Sequence, residues 1–91
     1  MKTEEELIEL GTASDELLSS HAFGQVTNHL VEQAFQAFVN SAPDAHEKRE
    51  QIYRHYRSLV DVVNSLKENK AVKDEILMKL NNREEEAQDH E

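Results

Sequence analysis

The sequence predicts an all-α fold, an antiparallel αα-hairpin of two long helices with a short N-terminal helix and a C-terminal helical extension. Three observations carry this prediction. Apolar side chains recur at three- and four-residue spacing over residues 23–39 and again over residues 52–66, the periodicity of helices with one apolar face. Between them stands the short connector Ser41-Ala42-Pro43-Asp44, and a link that brief makes its two helices antiparallel neighbours. Polar, acidic segments flank the pair on both sides. The expected organisation is an acidic N-terminal arm with short helices over residues 1–20, a hairpin core over residues 21–80 and an acidic tail over residues 81–91.

Thr3 can cap a first short helix running to Leu10, with Glu4, Glu5 and Glu6 well placed against the positive end of its dipole. Leu7 and Leu10 would share a face, and Gly11 reads as the stop, since glycine most easily takes the left-handed conformation that ends a helix. A second short turn from Ser14 to Leu18 could follow, capped by Ser14 and anchored by Leu17 and Leu18, with Ser19-Ser20-His21 as linker or as the next cap.

The first long helix carries Phe23, Val26, Leu30, Val31, Ala34, Phe35, Phe38 and Val39 on one face and Gln25, Asn28, Glu32, Gln33 and Gln36 on the other. Pro43 pushes Ala42 out of helical geometry. Asp44 then serves as cap with Glu47 as its capping-box partner, or Ser41 does so with Pro43 in the first turn. The second long helix presents Ile52, Tyr53, Tyr56, Leu59, Val60, Val63 and Leu66. Its pattern loses phase at Lys67-Glu68-Asn69-Lys70 before a new stripe of Val72, Ile76, Leu77 and Leu80, so a break or kink is expected near Asn69. From Asn81 onward no apolar anchor beyond an alanine remains, which describes a fraying or solvated helix.

Ninety-one residues make one domain at most, and 37% apolar content falls below the roughly 45–50% of globular domains. The stripes therefore have little material to cover one another, which favours self-association or docking on a partner. The exposed-seam candidates are Phe23, Leu30, Phe35, Phe38, Tyr53, Tyr56, Val60, Val63, Ile76 and Leu80. With no cysteine there is neither a disulfide framework nor a thiolate zinc site, and an intracellular setting is expected. No apolar run approaches the roughly 20 residues that cross a bilayer, and Met1-Lys2-Thr3-Glu4-Glu5-Glu6 is the wrong chemistry for a signal peptide. No membrane partner is expected.

The net charge of −9 is uneven: residues 1–40 hold one base against seven acids, 41–70 six against five, and 71–91 three against seven. Direct nucleic-acid binding, which draws on Lys and Arg displacing counterions, is not expected. The acidic ends, Glu4, Glu5, Glu6 and Glu9 with Glu84, Glu85 and Glu86, form a possible contact surface that could imitate a nucleic-acid backbone in a basic groove. A solubilising charge run is the simpler account, because the two ends need not form one surface.

Other candidate sites reduce to structural roles. Of the five histidines, His21, His29, His46, His55 and His90, no two stand at the four-residue spacing that aligns two ligands, although His46 and Glu50 do. Ser19 and Ser20 beside His21 lack the third, orienting group of a catalytic triad. Tyr53 and Tyr56 next to Arg54 and Arg57 invite base stacking, but helical spacing assigns the tyrosines to the buried face and the arginines to its margin. No enzyme activity, metal or cofactor is expected.

The segment His21-Ala22-Phe23, the helix ending Ala37-Phe38-Val39-Asn40-Ser41, the run Ala45-His46-Glu47-Lys48-Arg49-Glu50-Gln51-Ile52-Tyr53 and the run Leu59-Val60-Asp61-Val62-Val63-Asn64-Ser65-Leu66 resemble a group of small helical proteins of tailed bacteriophages. The likeness spans residues 20–80 and implies a phage source, with genes lying among those of virion assembly. It assigns no functional residue; Glu50 with Arg54 reads as a helical ion pair. The expected function is a homo-oligomeric assembly or virion-associated factor that contacts itself, phage or host proteins, in the host cytoplasm or the virion. The alternatives are an acidic inhibitor of a host nucleic-acid enzyme and a DNA-recognition protein of the small-terminase kind. The latter needs a basic face, and Lys48, Arg49, Arg54 and Arg57 are interleaved with Glu47, Glu50 and Asp61.

Overall fold

In the computed structural model, which describes the backbone of residues 1–89 and the side-chain surroundings of residues 1–86, the described chain is all-helical. Its elements are α1 (Glu4–Ser19), α2 (His21–Val39) and α3 (His46–Asp89). The 44 residues of α3 correspond to about 66 Å of helix, and α3 accounts for most of the 72 Å length of a molecule only 25 by 20 Å in section. Both α1 and α2 pack along it. The radius of gyration is 19.9 Å, against about 12 Å for a compact domain of this length.

The start of α1 follows the sequence. Thr3 has extended backbone and its hydroxyl accepts from the Glu6 amide at 3.1 Å, with three glutamates in the first turn. Gly11 does not end the helix. No glycine has positive φ, and α1 runs unbroken through Gly11 and Ser14 to Ser19, so the expected stop and the separate second turn are both corrected. What glycine supplies at position 11 is proximity: an added Cβ would overlap the Cβ of Lys73 and lie 2.8 Å from the Asn69 carbonyl oxygen. Ser14, expected as a cap, is buried at the same contact.

Ser20 is the residue that divides the first two helices. Its backbone is extended, its N–H closes α1 on the Leu17 carbonyl, and its hydroxyl accepts from the Phe23 amide at 3.2 Å to open α2. The connector after α2 also departs from expectation. The Ala45 N–H donates to the Ala42 carbonyl at 3.0 Å, a tight turn with Pro43 at the position where its fixed φ is favoured, and α3 begins only at His46. Neither Asp44 nor Ser41 caps it. Ser41 is buried and is held instead by Arg49, whose Nε donates to the Ser41 hydroxyl at 2.9 Å and whose Nη2 donates to its carbonyl at 3.3 Å.

The break expected near Asn69 is absent, since α3 runs through it as one helix. The apolar phase is interrupted there because α3 changes partner. Along residues 69–73 it faces α1 through small and polar groups, whereas along residues 49–56 it faces α2 through aromatic and aliphatic ones.

Candidate functional site: an open apolar groove

The two halves of the rod are packed differently. On the α1 side, the Asn69 amide donates to the Ser14 hydroxyl at 3.1 Å, that hydroxyl donates to the Leu10 carbonyl at 2.8 Å, and Lys70 pairs with Asp15 at 3.3 Å. Gly11 lets the backbones approach closely enough for these bonds to form. Every buried side-chain polar atom among the described residues has a partner.

On the α2 side the contact is one residue wide. Ala34, 6% exposed, is the only buried hydrophobic residue among those described. It and Ile52 line grooves on both sides of the seam. The larger groove encloses about 530 Å³ and is walled by Val31, Ala34, Phe35 and Phe38 from α2 and by Ile52, Tyr53 and Tyr56 from α3, with Asn28 and Glu32 as its polar members. Phe35 is 62% exposed and Tyr53 59%. The tyrosines are therefore not buried within the subunit, contrary to expectation: α2 and α3 meet along a single edge, and no third element covers the open side. Arg49 lies over the ring of Phe38, one of the groove's walls, at 4.7 Å from its centroid, a cation–π contact.

Of the residues expected at a docking seam, Phe35, Phe38, Tyr53 and Tyr56 are thus brought together in the groove. Phe23, Leu30, Val60, Val63 and Ile76 are half-buried along the helix contacts, and Leu80 is exposed in the far half of α3. Val31 and Ile52 belong to the groove as well; both lie on the sequence stripes, and their adjacency to Leu30 and Tyr53 is the signal that could have included them. The expected arginine margin is observed, with Arg54 on Glu50 at 2.8 Å and Arg57 near Asp61 at 3.6 Å, all four exposed.

The charges divide along the same line. Residues 1–19 hold one base against six acids and residues 69–86 four against five, so the α1 half carries −6; residues 20–68 hold five bases against six acids, so the groove half is near neutral at −1. Glu4, Glu5, Glu6 and Glu9 are exposed on α1, and Glu84, Glu85 and Glu86 are exposed at the end of α3.

Among the described residues, no group of three or more His, Asp or Glu is placed to hold a metal ion, and no helix is long and apolar enough to cross a membrane. No protein family, curated protein or solved structure matches this chain.

Proposed function

We propose that this chain is a non-enzymatic protein-interaction module, an antiparallel helical hairpin that docks protein in its α2–α3 groove, and that it serves a tailed bacteriophage as an assembly or virion-associated factor. The observation that carries the docking reading is the groove itself. Four aromatic side chains are gathered on one face of a molecule too thin to cover them, and exposed apolar clusters rimmed by polar groups mark interaction surfaces. The phage assignment rests on the sequence resemblance over residues 20–80. Its test is the composition of particles made by the encoding phage. The chain is expected in procapsids or virions, with deletion of the gene lowering particle yield and Phe35→Asp failing to restore it. Absence from both kinds of particle together with an unchanged yield refutes the assignment.

A second reading draws on the charge division. The carboxylates of α1 and of the end of α3 sit on one half of the rod, which favours charge mimicry directed at a host nucleic-acid enzyme. Capture of a nuclease or polymerase that is lost steeply with added salt supports it, and capture unaffected by salt refutes it. DNA recognition of the small-terminase kind has less support, because Arg54 and Arg57 are already engaged by Glu50 and Asp61. A gel shift at physiological salt would reverse that judgement.

A further inference from the structure

We infer that the occupant of the groove is a second copy of this chain, placed by a twofold axis that runs across the rod near Phe35 and Tyr53, so that two hairpins join at their near-neutral halves and their acidic halves point in opposite directions. The inference rests on the docking reading and names its partner. Three observations lead to it.

The first is area. The accessible surface is 7351 Å² for a 10.5 kDa chain, whereas a compact monomer of that mass exposes about 5,400 Å². The difference, about 1,900 Å², exceeds the roughly 800 Å² that each partner contributes to a standard interface. Part of it belongs to the slender α1 half and the end of α3, yet less than half is needed to supply one face of a dimer.

The second is charge. Copies meeting through residues 20–68 bring together segments of net charge −1, so association meets little net repulsion. Orientation follows from the other half. Parallel copies would set two clusters of −6 side by side, within or near the Debye length of about 8 Å at physiological ionic strength. The opposed arrangement separates them by tens of ångströms, where screening is complete.

The third is self-complementarity. A twofold interface uses the same patch on both copies. With the axis across α3 at Tyr53, the two α3 helices cross in opposite directions, so that Tyr53 of one copy meets Tyr53 of the other. The aromatic walls then cover each other. The result is a short four-helix bundle with an acidic two-helix arm at each end.

Sedimentation of the full chain over a concentration series tests the stoichiometry, and small-angle scattering of the same samples tests the orientation. A closed dimer of about 21 kDa, twice the 10.5 kDa chain, is expected. Two 72 Å rods overlapping over about 30 Å of helix give a longest dimension of about 110 Å. Phe35→Asp and Tyr53→Asp should each raise the dissociation constant about 100-fold, as for a buried aromatic anchor, while helix content by circular dichroism is retained. Met78→Asp, on an exposed residue of the far half, should leave it unchanged. A dimer about 75 Å long overturns the opposed orientation. A chain monomeric at 100 micromolar, an open series of larger oligomers, or a dimer insensitive to both groove variants overturns the inference. In the monomeric case the docking reading stands if Phe35→Asp still fails to restore particle yield.

Discussion

Replacing each glycine by alanine separates helix propensity from helix packing. Within a helix, alanine is favoured over glycine by about 1 kcal/mol, and both Gly11 and Gly24 are helical with ordinary φ. At Gly24 an added Cβ meets nothing within 4 Å, so Gly24→Ala should stabilise the chain by about 0.5–1 kcal/mol. At Gly11 the same methyl meets the Cβ of Lys73 and the carbonyl oxygen of Asn69. Neither is the free end of a side chain, so α1 must lift away from α3. Overpacking of this kind costs about 1–3 kcal/mol, and lifting α1 also weakens the Asn69 to Ser14 bond of 3.1 Å, a further ~1 kcal/mol. After subtraction of the propensity gain, Gly11→Ala should destabilise by about 1–3 kcal/mol. The two variants should therefore differ by about 3 kcal/mol, or roughly 12–24 °C in Tm for a chain of this size. Thermal melts followed by circular dichroism must be run at one protein concentration, because any self-association raises Tm with concentration. A Gly11→Ala melt at or above that of the wild type would refute the close approach of α1 to α3.

Further perturbations probe the remaining contacts. Ser14→Ala and Asn69→Ala, made singly and together, should show a coupling of about 1 kcal/mol in denaturant unfolding, and strict additivity would mean that the bond contributes nothing. Ser20→Ala should cost about 1 kcal/mol and Ser20→Gly only a few tenths, as for an N-cap; equal losses would remove the hydroxyl from the account. Arg49→Lys should lose about 1–2 kcal/mol in the same assay, since lysine cannot reproduce both bonds to Ser41 together with contact to Phe38, and a neutral outcome would refute the clasp. Arg54→Ala, by contrast, should change stability by less than about 0.5 kcal/mol because its pair with Glu50 is exposed.

Helical periodicity made α2 and the first half of α3 legible, and Thr3 made the start of α1 so. The errors share a cause. Gly11, Pro43-Asp44 and Asn69 each match a local rule, in which glycine stops a helix, aspartate caps one and a polar run interrupts one. Each instead answers to a residue distant in sequence or to a competing turn. Gly11 faces Lys73, Asn69 bonds Ser14 across 55 positions, and the Pro43 turn leaves Ser41 to Arg49. The three-residue spacing of Gly11 and Ser14 was the available sign that two helices could approach there. Groove membership was legible as a stripe, but the side of the stripe left open was not. Periodicity locates an apolar face without saying how much of it the neighbouring helix covers.

That incomplete coverage is also where the two halves of the molecule diverge in what they can do. Around Gly11 and Ser14 the backbones are close, the polar groups are satisfied internally and the surroundings carry excess negative charge, so the apolar side chains left exposed along this half, Leu10, Leu17, Leu77 and Met78 among them, lie beside carboxylates rather than in a groove. Around Ala34 and Ile52 large side chains hold the helices apart, and the same bulk that prevents close packing supplies the exposed Phe35 and Tyr53. If the groove existed only because the fold was poorly packed, filling the seam should close it. Ala34→Leu adds bulk at the one buried apolar position among the described residues, where overpacking costs about 1–3 kcal/mol and pushes α2 further from α3. The variant should then lose stability in isolation yet keep its aromatic walls exposed, measurable as unchanged quenching of tyrosine fluorescence by acrylamide in the monomer. A gain in stability with protected tyrosines would mean that the groove is a packing defect rather than a surface kept open for a partner.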